Sequence, residues 1–491
     1  MAGRRELLEA AAYERRRLLT ALVAGRLEAE PARPGRVVVA GVALAALTVA
    51  GAALAGVLAP GTPVDWTRPG LVVSRETGAA YVVLDAGPPV LHPVANATAA
   101  RLVLGSAHAP TVVPGRDIAG RRIGAEVGVA GAPASLPAVH RLVDGGWTAC
   151  TEDGAGVRLR IAQPPAVRAA PAAGLVVRSG GRAFLLAPAG VTGAGPAGAR
   201  RYELRRVRGV RGDNRDNLLV DLGLGIRGGA PEVPRAWLDL FPAGGPLVRT
   251  KFRVPTLGSP PRYAGDPGVP PGARVGDVLT APGGSLLLTA GGPARLDPFA
   301  LTVYRETADP LGRPLGPQRL RGGPRETPVA FLPPVAQVPP PWAVARWPDR
   351  PPEPLLGLPC AELRTAPGEE PAVQLATDPA PVAAAAELPP RRRRTSVAAG
   401  RGALVRTGPG ADGGRLLLVD ARGTAYPVVG DEARARLGYA DHPAPAVPAG
   451  WAALLDRGVE LAVGRHPVAR APRTRERRRP VRVGAVRGGG G

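Results

Sequence analysis

The chain has 491 residues, among them 67 glycines and 59 prolines, and only 4% of its residues are aromatic. Gly and Pro together make up about a quarter of the chain, close to the level of low-complexity sequences, yet the hydrophobic content of 45% allows a packed core of Leu, Val and Ala. The net charge of +23 comes almost wholly from arginine, because Lys251 is the only lysine. Since Thr250 and no glycine precedes that lysine, a P-loop of the form G-x-x-x-x-G-K-[ST] is excluded.

The first 36 residues are predicted to be a cytoplasmic amphipathic segment. Apolar residues recur there at near-helical spacing with charges between them, and they are Leu7, Leu8, Ala11, Leu18 and Leu22. We predict that this helix contacts a cytoplasmic partner through Arg15, Arg16 and Arg17. Two alternatives stay open: the helix lies on anionic lipid headgroups, or it is a solvated lead into the next segment.

Residues 37–59 are predicted to form a transmembrane helix. The 23 residues from Val37 to Ala59 carry no charge and would be about 35 Å long as a helix. A cleaved signal peptide is the alternative, but the apolar run is long for one and follows 36 polar residues. Eight arginines precede the run and only Arg68 and Arg75 occur in the twenty residues after it. The positive-inside rule therefore places the N-terminus in the cytoplasm and residues 60–470 outside.

Four stretches of the predicted outer part share one pattern, a short Leu/Val run, a Gly-containing turn and a second apolar run. They lie near residues 70–105, 174–223, 275–306 and 402–438. Three of them end in Leu-Gly, at Gly105, Gly223 and Gly438. A hairpin with one helix cannot bury its apolar face alone, so these repeats are expected to pack on each other or on a shared scaffold.

The stretches between the repeats differ from them in composition and predicted structure. Thr111–Val143 and Pro234–Val254 contain short strand-like runs separated by Gly and Pro, and are candidates for a central sheet. Pro324–Pro359 is rich enough in proline to predict an extended linker or strap. Arg391–Arg394 is predicted to lie in a loop, and residues 471–491 to be a disordered basic tail.

Cys150 and Cys360 are the only two cysteines, and both fall on the predicted outer side. An extracytoplasmic pair can persist as a disulfide. The alternative is two unpaired buried thiols. Metal binding is disfavoured, because neither cysteine has a second cysteine or a histidine at ligand spacing.

The sequence offers no catalytic or cofactor-binding residue. Gly223, Gly225 and Gly228 spell G-x-G-x-x-G after an apolar run, but Gly229, Pro231 and Pro234 prevent the helix that a phosphate loop requires. The five histidines are scattered singly, and no G-x-S-x-G motif occurs. We therefore expect no cofactor, no metal and no nucleic-acid partner.

Nearly the whole chain resembles one family, the EccB membrane component of the actinobacterial type VII (ESX) secretion system. The motifs that carry the resemblance are YERRRLLTALVAG before the anchor, GAAYVVLDAGPPVLHPVANATAARLVLGSA, VGVAGAPASLP leading to WTAC, GLVVRSGGRAFLLAP, LPC, and the closing ARARLG. The third repeat, which lacks the Leu-Gly end, and the Arg-rich tail depart from the family pattern.

The resemblance implies a mainly β (α+β) fold, with a single transmembrane helix and an elongated outer part of four repeats around a central β domain. It implies a disulfide between Cys150 and Cys360. It further implies a multicopy structural role in a pore complex with EccC, EccD, EccE and a membrane-anchored subtilisin-like protease. Members of the family are sometimes labelled ATPases, which no motif of this sequence supports.

The predicted function is therefore a structural core component of the secretion membrane complex. Two alternatives remain: a membrane-anchored module that binds peptidoglycan or an anionic envelope polymer, and a nucleotide-hydrolysing subunit. If the cysteines are linked, the first and last repeats should lie together at the membrane-near end of a folded-back rod, with the second and third at the far end.

Overall fold

The structure is a computed structural model that describes residues 65–85, 88–94, 96–105, 110–190, 198–205, 214–307, 326–379, 388–408 and 414–463. The chain divides into two compact units, Met1–Asp65 and Trp66–Gly491. The predicted cytoplasmic segment 1–36, the predicted anchor 37–59 and the predicted tail 471–491 lie outside the described residues. Within the described ranges, no helix has both the length and the apolar character needed to cross a membrane.

The described part of the chain is mostly β-structure. Its strands are β1 (Gly70–Ser74), β2 (Ala80–Val83), β3 (Val90–Pro93), β4 (Thr111–Val113), β5 (Arg122–Ile123), β6 (Trp147–Cys150), β7 (Val157–Ile161), β8 (Arg168–Ala169), β9 (Ala173–Ser179), β10 (Arg182–Pro188), β11 (Ala199–Glu203), β12 (Val278–Ala281), β13 (Gly284–Leu288), β14 (Pro293–Leu296), β15 (Glu326–Pro328), β16 (Glu353–Pro354), β17 (Leu358–Arg364), β18 (Ala372–Asp378), β19 (Arg393–Val397), β20 (Ala403–Thr407), β21 (Arg415–Val419), β22 (Thr424–Val429), β23 (Asp456–Arg457) and β24 (Leu461–Ala462).

The helices of the same ranges are short. They are α1 (Ala97–Leu104), α2 (Gly115–Ile118), α3 (Asn214–Asp221), α4 (Arg235–Leu238), α5 (Pro298–Thr307), α6 (Asp431–Arg436) and α7 (Ala449–Ala452). Single 3₁₀ turns occur at Val139–Arg141, Arg227–Gly229, Arg249–Phe252 and Ala343–Ala345.

Four sheets share one topology, in which three consecutive antiparallel strands are followed by a helix. We call them module I (β1–β3 and α1), module II (β9–β11 and α3), module III (β12–β14 and α5) and module IV (β20–β22 and α6). Strands from other parts of the chain add to these sheets in parallel: β4 and β5 to module I, β16 to module II, β15 to module III, and β23 and β24 to module IV. In module II the hairpin turn is Gly180-Gly181, and both residues have positive φ, as a tight two-residue turn requires.

A separate six-stranded sheet has the order β19-β7-β6-β17-β18-β8. It is built from chain before module II and chain after module III. The stretches 111–143 and 234–254, the sequence candidates for a central sheet, do not form it. The first adds β4 and β5 to module I, while the second forms α4 and a 3₁₀ turn, because Trp237, Leu238 and Phe241 repeat at helical spacing and are buried. Arg391–Arg394 is not wholly loop either, since Arg393 begins β19.

Continuous apolar runs in modules II and IV reflect sheets that are buried on both faces. In β10, Phe184 and Leu186 join the core of the six-stranded sheet, whereas Leu185 faces a second core shared with module III. In module IV, Leu417 packs on the six-stranded sheet and its neighbour Leu418 packs toward α1. Because side chains alternate across a strand, a strand buried on both faces needs an unbroken apolar run. Modules II and IV thus both pack in the core that covers one face of the six-stranded sheet.

Candidate functional site

The two cysteines face each other across neighbouring strands of the six-stranded sheet. Cys150 ends β6, and its register partner on β17 is Cys360. Their Sγ atoms are 2.06 Å apart and their Cα atoms 4.0 Å apart. The exposed fractions are 8% for Cys150 and 0% for Cys360, and Ala376 packs beside them. The arrangement is a disulfide that closes a sequence separation of 210 residues.

Local hydrogen bonds hold the cysteine pair in the sheet. The Thr151 N–H donates to the Pro359 carbonyl at 3.1 Å, directly next to the cysteines. On the other side, the Trp237 indole N–H donates to the Ala149 carbonyl at 2.7 Å, so α4 is fixed against β6. The tryptophan is fully buried in the core beneath the sheet. Both strands are therefore positioned independently of the sulfur bond.

Modules I and IV contact each other through their helices. The Arg436 guanidinium, at the end of α6, donates from Nη1 to the carbonyls of Leu102 (2.9 Å) and Val103 (2.6 Å) in α1. These carbonyls belong to the last turn of α1, where backbone acceptors lack helical partners and a cation is favourable. Glu432 orients the same guanidinium at 2.8 Å. The contact joins the first and last modules, as expected from the sequence; which end is near the membrane stays a prediction.

Modules II and III also share a core and a helix contact. The Asn214 side chain in α3 donates to the Glu306 carbonyl in α5 at 3.2 Å. Burial raises the pKa of the Glu306 carboxyl, and the adjacent carboxylate of Asp221 raises it further. Next to this contact Phe252 packs edge-to-face on Tyr304, with ring centroids 4.8 Å apart. The same core holds Trp342 and Trp347, which belong to the proline-rich segment predicted to be a strap.

The glycine-rich stretch Gly223–Gly228 ends a helix and holds no phosphate-loop geometry. After α3, the Gly223 N–H bonds the Val220 carbonyl at 2.9 Å, and Gly223 and Gly225 both adopt positive φ. The next residues form a 3₁₀ turn in which Asp216 binds Arg227 through two side-chain hydrogen bonds of 2.9 Å. The glycines are used for chain reversal.

Within the described ranges, no group of three or more His, Cys, Asp or Glu side chains is placed to hold a metal ion. His92 bonds the Ala125 carbonyl at 2.9 Å, and His442 Nε2 lies 3.2 Å from Asp144 Oδ1. Both contacts are structural. The predicted cytoplasmic contact residues Arg15, Arg16 and Arg17 lie outside the described residues.

One feature that sequence reasoning missed is a cavity of about 580 Å³ beside the six-stranded sheet. It is lined by Arg391–Arg393, by Glu232–Ala236 and by the Ser179-Gly180 turn. The run Arg391–Arg394 was visible in the sequence. The sequence did not show that this run leads into β19, at the edge of the six-stranded sheet.

Comparison with known proteins gives one family. The model described as "Type VII secretion system ESX-1, transport TM domain B" matches residues 2–470. The chain is similar to "ESX-2 secretion system ATPase EccB2" of Mycobacterium tuberculosis, with 34% identity over 249 residues, 48% of this chain and 45% of the relative. It is also similar to "ESX-1 secretion system ATPase EccB1" of the same organism, with 36% identity over 115 residues, 23% of each. The chain thus spans less than half the length of these curated relatives.

Solved structures show the same fold. A chain of "Structure of an intact ESX-5 inner membrane complex, Composite C3 model" superposes with a TM-score of 0.57 and 22% identity, covering 95% of this chain and 96% of that one. A chain of "Structure of EccB3 dimer from the ESX-3 core complex" gives a TM-score of 0.59 and 21% identity, covering 82% of this chain and 100% of that one. At these identities the likeness concerns the fold alone.

Proposed function

Because the chain belongs to the EccB family of type VII secretion membrane components, we propose that it is a structural core component of a type VII secretion membrane complex. The observation that carries the proposal is the family match over residues 2–470. The mainly β outer fold, shared with chains of ESX inner membrane complexes, supports it.

The proposed topology is a single pass. Residues 37–59 form the anchor, the N-terminus lies in the cytoplasm, and residues 60–470 lie outside. The uncharged run and the excess of arginines before it support this orientation. The family description, which names a transmembrane domain, supports the anchor.

The outer part acts as an assembly body in this proposal. Modules I to IV are four copies of one repeat, packed in the pairs I–IV and II–III, and modules II and IV pack on the six-stranded sheet. The Cys150–Cys360 disulfide links the chain before module II to the chain after module III. Self-association of the chain is supported by a relative whose structure is described as a dimer.

The proposal is tested by affinity purification of the tagged full-length chain from membranes of its host in a mild detergent. Other secretion components, of the EccC, EccD, EccE and subtilisin-like protease types, are expected to co-purify with further copies of the chain. Recovery of the chain alone in every mild detergent would contradict the proposal.

The cytoplasmic contact is tested separately in the same purification. Replacing Arg15, Arg16 and Arg17 with serine leaves five of the eight arginines that precede the anchor, so the orientation should persist. We expect loss of the cytoplasmic partners while self-association is retained. A matched variant with Arg4, Arg5 and Arg26 replaced by serine should keep both.

The names of the curated relatives contain the word ATPase. We propose no nucleotide role for the Gly223–Gly228 stretch, because its glycines reverse the chain after α3 and Arg227 is held by Asp216. The envelope-binding alternative stays a prediction. Sedimentation of the protein with cell-wall sacculi at low salt tests it.

A further inference from the structure

The cavity beside the six-stranded sheet has a strongly basic wall. Arg391, Arg392 and Arg393 line one side of it and Arg235 another. Among the described residues, no acidic side chain forms an ion pair with Arg391 or Arg392, and both are exposed. Arg235 is held by Asp239 at 2.9 Å. Two guanidinium groups thus face solvent at the cavity with their donors available to a ligand.

The rest of the cavity wall is apolar and backbone. Pro234 and Ala236 contribute apolar surface. The one acidic group is Glu232, whose carboxylate already accepts a hydrogen bond from the Gly180 N–H at 3.0 Å. A ligand that matches this wall carries negative charge for the guanidinium groups, which bind carboxylates and phosphates through paired donors, and also carries small apolar groups.

The arginine run leads into β19, an edge strand that begins at Arg393. Two hydrogen bonds show which of its backbone groups face β7. β19 is the outermost strand and pairs in parallel with β7. At its start the Val157 N–H donates to the Arg392 carbonyl at 3.1 Å, and at its end the Ala398 N–H donates to the Ile161 carbonyl at 2.9 Å. Backbone groups of alternate residues therefore point toward β7.

The intervening residues point their backbone groups away from β7. These residues are Arg393, Thr395 and Val397. Among the described strands β19 pairs with β7 alone, and no described backbone group outside that pairing hydrogen-bonds to these N–H or C=O groups. An unpaired edge of this kind is a template for an added strand, and only a polypeptide can complete it.

We propose that this edge and the arginine-lined cavity bind an extended acidic segment of a partner polypeptide, which adds to β19 as a further strand. Carboxylates of the segment pair with Arg391 and Arg392, and its alternate small apolar side chains contact Pro234 and Ala236. The backbone pattern favours a peptide over an anionic polymer, because a polymer would leave the N–H and C=O groups of β19 unpaired.

The test measures fluorescence anisotropy of a labelled (Glu-Val)₅ peptide with the purified full-length protein at low salt. The peptide is expected to bind, and a (Lys-Val)₅ peptide is not. A (Glu-Val)₅ peptide methylated on every backbone nitrogen keeps its charge but has no N–H donor on either edge, so its binding should be lost. Inorganic polyphosphate serves as the probe for an anionic polymer.

Arg391→Ser with Arg392→Ser should weaken peptide binding by at least about tenfold. The matched control, Arg168→Ser with Arg415→Ser, removes the same charge from exposed positions outside β19 and the cavity, and should bind like the wild type. Thr395→Pro removes one outward N–H while the bonds to β7 remain, and should also weaken binding. Thermal unfolding of each variant verifies its fold.

Three results would overturn the proposal. These are no binding of (Glu-Val)₅ by the wild type, equal binding of the methylated peptide, and binding of polyphosphate but not of peptide through Arg391 and Arg392. The last would assign the cavity to an anionic polymer. None of these measurements depends on co-purification with secretion components, so this inference and the proposed function can fail separately.

Discussion

At the scale of single residues, the disulfide between Cys150 and Cys360 joins two distant parts of the chain. A disulfide across 210 residues restricts the unfolded chain by about 5 kcal/mol in the chain-entropy description, which is an upper figure. We predict that Cys150→Ala with Cys360→Ala lowers the thermal unfolding midpoint of the unit Trp66–Gly491. Reductant should lower the wild-type midpoint toward that of the double variant and leave the variant unchanged. A wild type that is insensitive to reductant, with two free thiols by titration, would contradict the disulfide.

Asp297 offers a second test at residue scale. Its carboxylate accepts a hydrogen bond from the Ala300 N–H at 2.7 Å and caps α5, yet burial raises its pKa to about 6. The folded state therefore holds the proton more tightly than the unfolded state. The cost of the charged form is absent below about pH 4 and complete above about pH 6, where it amounts to at most about 3 kcal/mol.

Asp297→Asn retains the cap without the charge. We predict that this variant unfolds at a higher temperature than the wild type at pH 8 and at nearly the same temperature at pH 4. Asp297→Ala, which loses the cap, should be less stable than Asp297→Asn at both pH values. An Asn variant whose advantage does not depend on pH would exclude the buried carboxylate as the cause.

At the scale of elements, the contact between α6 and α1 depends on one guanidinium. Removing Arg436 leaves the Leu102 and Val103 carbonyls without this partner, a loss of about 1–3 kcal/mol for hydrogen bonds to a charged group. We predict that Arg436→Ala increases amide hydrogen exchange in α1 and α6. Arg422→Ala, an exposed arginine of the same module, should leave both helices unchanged. Unchanged exchange in α1 of the Arg436 variant would show that the contact adds no stability.

The elements themselves were predictable where local chemistry defines them. The Gly-containing turns and paired apolar runs predicted the hairpins of modules I to IV. The linker or strap predicted for Pro324–Pro359 stays a prediction, and its described part contains β15, a 3₁₀ turn and β16. The six-stranded sheet was not predictable, because its strands pair across large sequence separations. Thr111–Val143 and Pro234–Val254 show the same limit. The first stretch forms strands, but they pair with module I, and the apolar residues of the second form α4 and a 3₁₀ turn.

The candidate sites were predictable to different degrees for similar reasons. Two cysteines alone leave pairing open, and the pairing was implied only by the family resemblance. The basic run Arg391–Arg394 was visible but ambiguous, because its function depends on the distant turn at Gly180 and on the edge position of β19. In the sequence, Arg436 is only a basic residue near the end of a helix, and nothing there predicts its contact with α1.

At the scale of the whole molecule, elements from the second half of the chain pair with and pack on elements from the first half. β17 pairs with β6, β16 adds to module II, and module IV packs on α1. Phe331 is 85% exposed and lies between β15 and the following 3₁₀ turn, so it marks a place where the chain can be opened. A cut there places Cys150 and Cys360 on different fragments.

We predict that a site-specific protease sequence inserted at Phe331 gives a cut protein that still behaves as one body. In native buffer the two fragments should co-elute even with reductant, because the β6–β17 pairing and the Arg436 contact join them without the sulfur bond. In denaturant they should stay linked until reductant is added, since Cys150 and Cys360 lie on different fragments. The uncut insertion variant controls for the inserted sequence. Separation in native buffer would mean that the two fragments fold without each other. Separation in denaturant without reductant would mean that the cysteines are unlinked.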